Sequence, residues 1–92
     1  MVARAKLWLL FKKIMVSAPR KRKRLLSSYE KVGLAFTAMY SSYIEMLDSY
    51  TCPYCLKKCR RAMGLANHLI HRHYEEMRRD FEELEARFFA KD

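Results

Sequence analysis

Apolar residues recur at helical spacing along most of this chain. Between residues 4 and 16, Leu7, Trp8, Phe11, Ile14 and Met15 fall at i, i+1, i+4, i+7 and i+8, with Arg4, Lys12 and Lys13 largely elsewhere around the axis. That pattern predicts an amphipathic basic helix whose stripe packs on the rest of the domain, or meets a membrane surface or a partner helix. Ser17-Ala18-Pro19 ends it, because proline cannot continue a helical turn. From Leu25 to Tyr50 the aromatics Tyr29, Phe36, Tyr43 and Tyr50 return every seven residues, with Val32, Met39 and Met46 three positions later. This is a heptad seam on one long helix, in which Gly33 lowers propensity without breaking the pattern. After His73, the residues Tyr74, Met77, Phe81, Leu84 and Phe88 follow at spacings of 3 and 4, and Ile70 extends the series backward. A single helix is expected from about Arg61 to Ala90.

Two such seams have two solutions. They can pack on each other within a chain, or pair across a two-fold axis through helices 25–50 and 70–90. The length of the seams favours a homodimer.

Charge divides the chain further. The net charge is +9 over 92 residues, and it is unevenly spread. Residues 1–24 hold Arg4, Lys6, Lys12, Lys13 and the run Arg20-Lys21-Arg22-Lys23-Arg24, with no acid. Residues 25–51 sum to −2, residues 52–73 to +5, and residues 74–92 to −3. A run of five cations repels itself, so residues 20–24 read as a solvated linker or an arm awaiting a polyanion. No run of eighteen apolar residues exists to span a membrane, and Leu7–Phe11 is too short for a secretory core. A cytoplasmic location is expected, the host's cytoplasm if the source is a virus.

Chemistry enters with Cys52, Cys55, His68 and His73, spaced C-x2-C-x12-H-x4-H. Two thiolates on a tight turn and two imidazoles on one side of a following helix supply four nitrogen and sulfur donors. This suits a closed, tetrahedral and structural Zn2+ site. His71 offers an alternative to His73 at a shorter spacing, and Cys59 reads as a small buried hydrophobe. Three cysteines cannot all pair in disulfides, and in so short a chain zinc is the natural staple.

With Tyr50 two residues before the first Cys and Leu65 three before the first His, residues 50–73 resemble the C2H2 zinc-finger family. Cys59 stands where that family usually has Phe, which leaves a smaller finger core or one filled from outside. Depletion of amides (no Gln, and Asn67 alone) with abundant Lys, Arg and Glu is a hyperthermophile tendency. In this respect the chain is similar to small single-finger proteins of hyperthermophilic archaea and their viruses.

The resemblance implies a small ββα zinc finger, and the helical periodicity on either side of it makes the expected fold mainly α. Its segments are a basic helix and arm (1–24), a long helix (25–50), the finger (51–73) and an extension of the finger helix (74–92). It also implies double-stranded DNA binding, with base-reading positions that fall on Arg61, Gly64 and Asn67. Arg61 can pair with guanine and Asn67 with adenine, while Gly64 reaches nothing. Lys57, Lys58, Arg60 and Arg72, with Arg20, Lys21, Arg22, Lys23 and Arg24, would hold phosphates. The expected role is a sequence-selective transcriptional regulator. A zinc-stabilised module for protein or membrane surfaces, or an RNA binder, remains the alternative. No enzymatic turnover is expected, since four protein ligands leave zinc no open position.

Overall fold

The computed structural model describes residues 4–89, which form five helices: α1 (Arg4–Val16), α2 (Pro19–Ser28), α3 (Glu30–Asp48), α4 (Ala62–Arg72) and α5 (Tyr74–Phe88). The mainly helical expectation holds, but the ββα finger does not. No strand exists among the described residues, and the only pairing in the knuckle region is one antiparallel bridge between Thr51 and Lys58. Pro53 lacks a ladder donor and the Cys52–Cys55 segment is taken up by turn, so too few residues remain for two strands.

α1 forms as its periodicity predicts. Leu7, Trp8, Phe11, Ile14 and Met15 are all buried, with Phe11 at the centre of an aromatic cluster. Its ring lies 5.4 Å from Phe36, 5.7 Å from Phe81 and 6.1 Å from Tyr40, and Trp8 lies 5.4 Å from Phe81. Aromatic pairs at these separations add to the burial energy of large side chains. The seam of α5 is spent on the same core, since Met77, Phe81 and Leu84 are buried. α3 contributes Val32, Ala35, Phe36, Tyr40 and Leu47. Part of each seam therefore finds its partner inside one chain, while Tyr29, Ile70, Tyr74 and Phe88 stay exposed.

The long helix expected over 25–50 is interrupted near its start and kinked again at Tyr40 (φ −130°, ψ 35°). Tyr29 leaves helical geometry (φ −109°, ψ 73°), which separates α2 from α3. Gly33 is the reason the two can fold back so closely, because a Cβ there would lie 2.0 Å from the carbonyl oxygen of Leu26. That contact is with backbone, so no rotamer change relieves it.

The basic run is neither an arm nor a linker. It is helical, opening with Pro19 in the first turn of α2. Arg20, Lys21, Lys23 and Arg24 are exposed, whereas Arg22 is only 2% exposed. Its Nε donates to the Ile14 carbonyl at 2.9 Å, and its guanidinium also reaches the Ser17 carbonyl and the Asp48 carboxylate. Arg22 thus caps the C-terminal end of α1, where carbonyls lack helical partners and attract cations. Burial pulls its pKa down, and Asp48 opposes that pull. The phosphate-contacting role expected for Arg22 is overturned by this burial.

A last difference lies at His73. The continuous helix expected from Arg61 breaks there (φ −129°, ψ 25°), and Ala90 lies outside the described residues. The break frees α5 to turn against α1 and α3. Arg4 reinforces that packing, reaching Glu85 at 3.0 Å and Glu82 at 3.5 Å.

Candidate metal centre

α3 ends in a Schellman turn: Tyr50 N–H donates to Leu47 O at 3.0 Å and Thr51 N–H to Met46 O at 2.8 Å, with Tyr50 in the left-handed region (φ 57°). The turn delivers the chain directly into a knuckle. Cys52 N–H donates to Lys57 O and Leu56 N–H to Cys52 O, both at 2.8 Å. Closing so tight a loop forces Leu56 into left-handed geometry at φ 65°, which costs a side-chain-bearing residue roughly 1–2 kcal/mol.

The knuckle brings its thiols to the histidines of α4. The donor atoms of Cys52, Cys55, His68 and His73 all lie within 4.8 Å of one another. Cys55 Sγ stands 3.2 Å from His68 Nε2, and His73 Nε2 stands 3.2 Å from the same nitrogen. Bond lengths of about 2.0 Å to nitrogen and 2.3 Å to sulfur would place tetrahedral donors roughly 3.3–3.8 Å apart. Two of the contacts are already at that scale, and the widest needs to close by about an ångström. His71 is exposed and outside the group, so His73 supplies the fourth donor.

Electrostatics acts on the donors in opposite directions: it prepares Cys55 for a metal, whereas Cys52 and His73 must each give up a proton to an incoming ion. The Lys57 backbone N–H, followed by the His68 ring, holds the Cys55 thiol down at about 6, so it is largely thiolate at neutral pH. Cys52 is fully buried, and burial pushes its thiol up. For His73, burial works against the charged form, but the Glu76 carboxylate and the Cys55 thiol outweigh it and raise the pKa.

Sequence reasoning missed two supports. Glu76 accepts from His73 Nδ1 at 2.5 Å, leaving Nε2 as the metal-facing nitrogen. A carboxylate behind a ligating imidazole fixes its tautomer and orientation, and the three-residue spacing on a helix was the available signal. Asp80 was the second. Its Oδ2 accepts from the Tyr54 hydroxyl at 2.6 Å, and its carbonyl accepts from Tyr40 at 2.7 Å, tying the knuckle to α5 and α3. Burial raises the Asp80 carboxyl and, with the Asp80 charge, pushes Tyr43 up to about 12.

The expected base-reading and phosphate residues are mostly free. Arg61 is the N-cap of α4 without a side-chain capping bond, and Lys57, Lys58, Arg60, Asn67 and Arg72 are exposed. Gly64 is exposed, and a Cβ there would meet the Cys59 Cβ at 4.0 Å, an ordinary contact. Leu65 and Leu69 are buried in the common core and not in a separate finger core, and α1 packs against α4. No known protein family, curated protein or solved structure matches this chain.

Proposed function

We propose that this protein is a sequence-selective double-stranded DNA-binding protein, a transcriptional regulator, whose Cys2His2 site holds structural zinc. The observation that carries the reading is a set of unneutralised cations. Among the described residues, none of Arg20, Lys21, Lys23, Arg24, Lys57, Lys58, Arg60, Arg61 or Arg72 makes an ion pair, although α5 carries many carboxylates. Arg22 ties the start of α2 to Asp48, four residues before the knuckle, and Thr51 pairs with Lys58 in the knuckle loop.

Zinc would cross-link knuckle and helix through Cys52, Cys55, His68 and His73, and so set the direction of α4. The uncapped N-terminus of α4, with Arg61, suits a phosphate or a guanine edge, and Asn67 two turns on suits adenine. Lys57, Lys58, Arg60, Arg72 and the exposed face of α2 supply sequence-independent attraction to phosphates.

Binding measured against salt tests this. Neutralising roughly five phosphates gives a log–log slope near −4 or steeper on duplex DNA. Arg61→Ala should relax base preference, and Lys21→Ala should weaken all duplexes alike. A flat salt dependence, or a stronger preference for RNA, would contradict the proposal.

A further inference from the structure

Leu56 combines backbone strain with an exposed apolar side chain. It holds a left-handed backbone that glycine would adopt without strain, and its side chain is 65% exposed. Tyr50, the other left-handed residue, is half-buried and so regains packing from its side chain, whereas Leu56 regains little. A second bare apolar side chain lies close in sequence on the same centre: Met63, in the first turn of α4, is 73% exposed. Met63 stands four residues before Asn67 and therefore shares its helix face. Between Leu56 and Met63 the chain carries Lys57, Lys58, Arg60 and Arg61, all exposed.

Apolar tips set among cations fit one kind of surface better than water or a protein core. A DNA duplex draws the cations to its phosphates and offers a stack of flat apolar faces that an aliphatic side chain can part. We infer that Leu56, with Met63 beside the reading face, is a wedge that enters a base step and kinks the duplex. This rests on the DNA-binding reading above and adds a deformation to it. The knuckle is a suitable mount, since Cys55 precedes Leu56 and the Leu56 N–H is bonded to Cys52 O. The wedge is thereby fixed to the metal centre and not to a loose loop.

The test uses the full metal-loaded chain and a mixed-sequence duplex carrying a fluorophore at each end. Saturating protein should shorten the end-to-end distance by energy transfer, as for a kink of about 20–90°. Leu56→Gly should lose most of that shortening while keeping metal and melting higher than the parent, because the strain is gone. Leu56→Ala should lose the shortening without the gain in melting temperature, and Met63→Gln should reduce it in part. Equal shortening by Leu56→Gly and the parent overturns the wedge, as does binding by the parent with no shortening at all. Absence of duplex binding removes the DNA-binding reading together with the wedge. Leucine-dependent capture on anionic vesicles without any duplex shortening also overturns it.

Discussion

Gly33 and Arg22 show how single residues decide the packing. A methyl group at Gly33 would sit 2.0 Å from the Leu26 carbonyl oxygen, so Gly33→Ala must push α2 and α3 apart. Overpacking of this kind costs about 1–3 kcal/mol, and contact with backbone puts this site at the upper end. The melting temperature should fall by roughly 10 °C or more, on a scale of about 4–8 °C per kcal/mol for a domain of this size. Arg22→Ala strands the Asp48 carboxylate and two carbonyls. Because Asp48 is half-exposed, the loss should be roughly 2–3 kcal/mol, less than for a fully buried pair. Lys23→Ala, one position on, should leave melting unchanged and weaken duplex binding, so the two variants separate structure from ligand within one basic run. Equal effects of both on melting would contradict that division. The run itself hid this distinction. Five adjacent cations look alike in sequence, and only the packing of α2 against α1 and α3 selects Arg22 to face inward. Gly33 was equally opaque, since the clash it avoids is with another element.

Helix phase explains what could be read among the elements and what could not. α1 was legible residue by residue because its stripe, its flanking charges and its proline stop all agree. The breaks at Tyr29, Tyr40 and His73 were not. One non-helical residue barely changes the spacing of apolar positions, so a period of 3 and 4 runs through the break unaltered. The ligand cluster was legible for the opposite reason, as metal-ligand spacing depends on local reach and survives the loss of both expected strands. Its support was not legible: Glu76 meets the His73 ring only in the folded chain, just past the break at His73. Glu76→Gln should therefore weaken metal binding by about 10–100-fold in competition with a coloured chelator. No change would remove its orienting role. Cobalt should give the intense visible absorption of a tetrahedral sulfur–nitrogen site, and Cys52→Ser should abolish it. Chelation should unravel the knuckle and α4 first, leaving the Phe11–Phe36–Phe81 cluster to hold α1, α3 and α5.

Across the molecule, charge is segregated in a way the chain's segment sums already indicated. The acids of α5 pair with Arg4, His73, Arg78 and Arg87, while the exposed cations of α2, the knuckle loop and α4 have no carboxylate partner among the described residues. No described helix is long and apolar enough to cross a membrane. Val32, Phe36, Met77, Phe81 and Leu84 of the apolar seams are buried within the chain, Tyr29, Ile70, Tyr74 and Phe88 are exposed, and the exposed cations carry the larger claim about partners. That claim joins metal to reading helix: if the Cys2His2 ion sets the direction of α4, sequence preference must depend on it even where simple attraction to phosphate does not. Selection from a random duplex pool, run with the metal-loaded chain and again with chelator, tests this most directly. The account predicts an enriched motif in the first pool and its disappearance in the second. No enrichment in either, or the same motif in both, would contradict it.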